Sequence, residues 1–169
     1  MKILNTLTLA YVANTLVFHG FRGKIENHQG IYLVETATEG WSVSIHFPGH
    51  DLRGPDEEAR SFQFSSCWQI ENKSIPLVKD ICNEINYQFR FTKAFVLQNS
   101  GKYYAEITLD HLCPEGLAQE TLLTLLSLFT DVRRRLYFAC RDRLADVSPN
   151  TDNFGDPDLS TEITAPRPC

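Results

Sequence analysis

The stretch SIPLVKDICNEINYQFRFTKAFVLQNSGKYYAEITLD, residues 74–110, decides the fold. Val78, Ile81, Cys82, Ile85 and Phe89 recur at the spacing of one helical face. Ser74 suits an N-cap and Pro76 the first turn, where its missing N–H would have been unpaired anyway. Directly after this helix, Lys93 to Gln98 and Lys102 to Leu109 form an extended pair folded about Asn99-Ser100-Gly101. Tyr103, Ala105, Ile107 and Leu109 share the inner face of the second strand, and Phe95 and Leu97 are their expected partners. A last helix from about Glu115 to Arg143 carries Ala118, Leu122, Leu125, Phe129, Val132 and Leu136 at steps of four and three.

Working outward, Leu4, Leu7, Tyr11 and Phe18 fall on one stripe of a leading helix, and Gly20 provides its stop. Asn5, Thr6, Thr8, Asn14 and Thr15 interrupt this segment, so it lacks the unbroken apolar run of a secretory signal and is too polar to span a bilayer. Arg22 to Gln29 has room for a short strand but is not one of the five expected. Ile31 to Glu35 and the alternating Trp41, Val43, Ile45 and Phe47 are extended. Pro48 to Glu58 is a loop, and Arg60 to Ile70 a further strand with Phe62, Phe64, Ser66 and Trp68 on one face. The fold class expected is α+β: a five-stranded, mainly antiparallel sheet with three helices in the order α-βββ-α-ββ-α. One domain is expected over residues 1–144, with a disordered acidic tail over 145–169.

The chain has a formal charge of -5, with 43% hydrophobic and 22% charged residues. From Leu144 onward, Asp146, Asp152, Asp156, Asp158 and Glu162 stand against Arg167, which leaves residues 1–143 nearly neutral. A nearly neutral folded part lacks the basic footprint that nucleic acid requires. The five cysteines (67, 82, 113, 140 and 169) are odd in number and include no C-x-x-C pair, which points to reduced thiols and a cytoplasmic setting.

Asn83-Glu84-Ile85-Asn86, the hairpin after it and the leucine-rich last helix together resemble the YbjN family of bacterial regulators, over about residues 4–140. The sharpest part of the resemblance is Cys82 to Asp110. Members of that family look like type III secretion chaperones in fold. The resemblance therefore implies a chaperone-like or regulatory homodimer that binds another polypeptide, with no catalytic residue and no cofactor to carry over. The long 48–58 loop and the acidic tail depart from the family's pattern.

Trp41, Phe62, Phe64 and Trp68 are the expected aromatic anchors for a protein partner, and surplus leucines of the last helix, Leu123 and Leu126 among them, suit a second copy of the chain. His46 and His50, with Asp51 and Cys67, are the residues a metal would use, but their spacing is not that of a zinc site. Asp110, His111 and Cys113 could pair a nucleophile with a base, although structural filling where a strand gives way to a helix is the stronger reading. A pocket near His46, His50 or His111 is the basis of the alternative reading, a small-molecule sensor or an enzyme. The run Arg133, Arg134, Arg135, Arg141 and Arg143 supports a third, nucleic-acid-linked reading. Asp131 and Asp142 interleave with it, as on a solvated helix face. One of Asn83 and Asn86 is expected to bond backbone at the sheet edge.

Overall fold

A computed structural model describes residues 5–28, 30–47 and 54–147, with side chains described to Leu144. Helix α1 (Leu9–Phe18) leads into strands β1 (Lys24–His28), β2 (Ile31–Thr38), β3 (Trp41–His46) and β4 (Ser61–Ile70). A 3-10 turn at Asn72–Ser74 then opens α2 (Ile75–Gln88), followed by β5 (Lys93–Asn99), β6 (Lys102–Leu112) and α3 (Gln119–Val147). The strands form one antiparallel sheet of six in the order β1-β2-β3-β4-β6-β5, which corrects the expected five. The added strand is β1. Its sequence KIENH carries little strand character, and its pairing with β2 from Lys24↔Glu35 to His28↔Ile31 is what makes it extended.

Two hairpins are closed by two-residue turns, Glu39-Gly40 and Ser100-Gly101, with positive φ at all four residues. Such turns match the twist of the flanking strands and fix their register. In the second hairpin, Asn99 faces Lys102, so Phe95 pairs with Glu106 and Leu97 with Tyr104. Ala94 and Val96, opposite Ile107 and Ala105, are therefore the inner-face residues, and the expectation for Phe95 and Leu97 is corrected.

The core joins all three helices to one face of the sheet. Val34, Val43, Ile45, Phe62, Phe64, Ile107 and Leu109 meet Leu9, Val12 and Leu16 of α1, Val78, Ile81 and Ile85 of α2, and Leu122, Phe129 and Leu136 of α3. The α2 and α3 stripes read from the sequence are those that pack. The stripe for α1 is not. Thr8 caps the helix by accepting the Tyr11 N–H at 3.0 Å, the buried residues include Leu9, Val12, Ala13 and Leu16, and Phe18 is exposed. Leu7 lies before the helix begins and Leu4 outside the described residues, so the predicted phase has no helix to run along. Asn5 instead pairs with Leu117 through two backbone hydrogen bonds, 3.2 and 2.8 Å long.

Asn86 ties α2 to the edge strand. Its side-chain oxygen accepts the Ala94 N–H at 2.6 Å and its amide donates to the Ala94 carbonyl at 2.8 Å, so one side chain replaces a strand neighbour. This is the edge role expected of one of the two asparagines, and Asn83 is exposed. Asn86→Ala is expected to cost about 1–2 kcal/mol, with faster amide exchange at Ala94; an unchanged denaturation midpoint and unchanged exchange would show that the two bonds hold nothing.

Cys82, Cys113 and Cys140 are free and buried, and for these three the expectation of reduced thiols holds. Cys67 is disulfide-bonded, so at that position the expectation is corrected.

Candidate functional site

The sheet is not evenly laced. Strands β3 and β4 pair only at Ser44↔Ser65, Ile45↔Phe64 and His46↔Gln63, although β3 begins at Trp41 and β4 runs on to Ile70. On either side the ladders continue, β2 with β3 to Thr38↔Trp41 and β4 with β6 to Ile70↔Tyr103. The two strands thus part beyond Ser44 and Ser65. The Ser66 hydroxyl donates to the Ser42 carbonyl across the split at 2.9 Å.

An aromatic group lies over this split on the helix side. Register places Trp41 and Trp68 on the same face, and their rings meet edge to face at 6.2 Å. Tyr137 of α3 packs against both, at 4.2 Å from Trp41 and 5.9 Å from Trp68. The guanidinium carbon of Arg133 sits 5.3 Å from the centre of the Trp41 ring. Arg133 is only 1% exposed. Its Nη2 donates to the Thr38 carbonyl at 3.0 Å, while Nε and Nη1 have no hydrogen-bond partner, and neither has the buried Trp68 Nε1. Burial lowers the Arg133 pKa to about 10, against the pull of the Glu39 carboxylate. Glu39 itself accepts from Arg134 at 3.1 Å.

The anchors expected from sequence separate into two groups. Trp41 and Trp68 are half-buried and together at the split. Phe62 and Phe64 are 0% exposed and Leu126 2%, so their expected role as contact residues is corrected: all three lie in the core, with Phe129 of α3 at 5.6 Å from Phe64. Leu123 is half-buried.

The other candidates do not converge. His46 is half-buried on the face away from the helices, where burial lowers its pKa, and His50 and Asp51 lie outside the described residues. Among the described residues no group of three or more metal-ligating side chains occurs. Asp110 and His111 are consecutive in a strand and point to opposite faces: Asp110 accepts from Gln63 at 2.5 Å, and His111 meets the Phe62 ring at 5.5 Å. Burial raises the Cys113 thiol pKa, the opposite of what an activated nucleophile needs. The arginine run is divided among different neighbours. Arg134 bonds Asp131 and Glu39, Arg141 bonds Asp142, Arg143 clasps Glu84 of α2 at 2.8 and 2.6 Å, and Arg135 lies over Phe89.

On the sheet face away from the helices, Glu106 lies between Cys67 and Phe95, and burial pushes its carboxyl up from 4.5 to about 7. A raised carboxyl pKa in the fold means that stability is fully present below pH 4.5 and falls as pH rises to about 7, because the unfolded chain ionises first. Glu106→Gln is expected to flatten melting temperature against pH across that window. A slope equal to that of the parent protein would contradict this.

The sequence did not single out Arg133 as buried. The signal was available, since it follows Phe129 by four positions and precedes Leu136 by three, on the apolar stripe.

These elements define an α+β protein whose antiparallel six-stranded sheet is backed on one face by three helices. Its fold is that of YbjN from E. coli, described as a candidate transcription regulator: the crystal structure matches with a TM-score of 0.64 at 11% identity, over 85% of this chain and 97% of that one. A crystal structure of an uncharacterised protein from Methanothermobacter thermautotrophicus matches with a TM-score of 0.54 at 9% identity, over 81% of this chain and 99% of that one. At these identities the likeness is one of fold, and at that level the resemblance expected from the sequence holds. No protein-family model and no curated protein sequence matches the chain. No helix of the described residues is long and apolar enough to cross a membrane.

Proposed function

We propose that this chain is a non-enzymatic, regulatory or chaperone-like protein that binds an extended segment of another polypeptide at the split between β3 and β4. The observation that carries the reading is the early end of the β3–β4 ladder beside two half-buried tryptophans. Strand backbone beyond a ladder's end can pair with an added extended segment, and aromatic side chains beside it supply the anchoring area. Partial exposure of Leu128 (42%) and Phe138 (40%) on α3 supports homodimerisation as part of the same reading, checked by sedimentation.

The only two tryptophans of the chain, Trp41 and Trp68, are both at this place, so intrinsic fluorescence reports on it directly. Titration with a pool of unstructured peptides is expected to shift their emission saturably, and Trp68→Ala to weaken binding about tenfold. Emission that stays constant, or binding indifferent to Trp68, would overturn the reading.

A further inference from the structure

We infer that Arg133 is the receptor for a carboxylate: the segment bound at the split presents an acidic side chain that enters beside Trp41 and Trp68 and pairs with the buried guanidinium. This rests on the reading of the split as a polypeptide site and adds to it the chemistry of the ligand.

The argument begins with an unmet requirement. A guanidinium withdrawn from water is costly unless an anion and hydrogen-bond acceptors replace the water. Arg133 is 1% exposed, yet the fold gives it one carbonyl, that of Thr38, and leaves Nε and Nη1 without partners. The nearest candidate counter-ion, Glu39, is engaged by Arg134 at 3.1 Å, and among the described residues no carboxylate forms an ion pair with Arg133. A third unpartnered donor, Trp68 Nε1, belongs to the ring that meets Trp41, over which Arg133 lies.

The charge selects the ligand class. A single buried positive charge is neutralised by one carboxylate, whereas a phosphate dianion would leave an excess negative charge in the same apolar surroundings. Planar carboxylate oxygens also suit the in-plane donors of a guanidinium. The half-buried state of Trp41 and Trp68 places the entrance at the split, with Arg133 beneath it.

The test compares two blocked pentapeptides, acetyl-VTEVT-amide and acetyl-VTQVT-amide, followed by tryptophan emission and calorimetry on the full chain. Alongside them run 3-phenylpropionate, 3-phenylpropionamide and inorganic phosphate. The glutamate peptide is expected to bind at least about tenfold more tightly than the glutamine peptide, and Arg133→Met to abolish that preference. Phosphate is expected to bind no better than the amide. Should Arg133→Met fail to fold, the glutamate-to-glutamine ratio in the parent protein decides alone. Equal binding of the two peptides overturns the carboxylate assignment and leaves the polypeptide reading standing. A preference for phenylpropionate over its amide, lost in Arg133→Met and without binding of either peptide, upholds the carboxylate and overturns the polypeptide. A glutamate preference that survives intact in Arg133→Met overturns the role of Arg133.

Discussion

Phe64→Ala is expected to destabilise the protein by about 3–5 kcal/mol, which in a chain of this size lowers the melting temperature by about 10 °C. Phe64 is 0% exposed, packs edge to face on Phe62 at 5.1 Å and lies 5.6 Å from Phe129. It sits where α3 crosses the paired part of β3 and β4, at Ile45↔Phe64 and Phe64↔Leu109. Removing the ring leaves a cavity that strands held on both sides cannot close, which puts the cost at the upper end for a large-to-small change. If Phe64 were a contact for a partner instead, the same substitution would weaken binding and leave the melt unchanged. Chemical denaturation of the two proteins decides between them.

Arg133→Met is expected to act in the opposite direction on stability. Methionine is an unbranched, uncharged side chain that fills irregular apolar space. It forgoes the hydrogen bond to Thr38 and the approach to the Trp41 ring, together worth about 1–2 kcal/mol. It also removes a buried charge with two unpartnered nitrogens, and replacement of buried ionic groups by apolar ones of similar volume is often stabilising by about 1–4 kcal/mol. The net expectation is a gain of about 1–2 kcal/mol in the unliganded protein. A loss of similar size would mean that Arg133 is retained to hold the Thr38 carbonyl at the Glu39-Gly40 turn, a structural role needing no ligand.

Much of this fold was legible because helical spacing survives packing. The α2 face from Val78 to Ile85 and the α3 stripe through Leu122, Phe129 and Leu136 could be read directly, since each of these helices turns one continuous face to the core. The β5 register was not, because hydrophobicity favoured Phe95 and Leu97 while the Ser100-Gly101 turn fixed the pairing one residue away. Strand β1 escaped for a different reason: an edge strand is made by its hairpin partner, and KIENH has no apolar alternation to reveal it.

The site was half legible. Alternation placed Phe62, Phe64, Ser66 and Trp68 on one face correctly, but sequence spacing does not say where a helix crosses that face. Phe129 of α3 meets Phe64, while Tyr137 meets the tryptophans, so neighbours on one strand have different exposures. Arg133 was hidden by Arg134 and Arg135, whose charges suggested a solvated run. One position within that run faces the core.

Amide hydrogen exchange with and without bound peptide tests the central claim most directly, because it reads backbone pairing at the split itself. The account predicts protection gained at Trp41 to Val43 and Ser66 to Trp68, with the paired segment from Ser44 to His46 little changed. Protection appearing elsewhere, on the exposed side of α3 for instance, with none at the split, would contradict it.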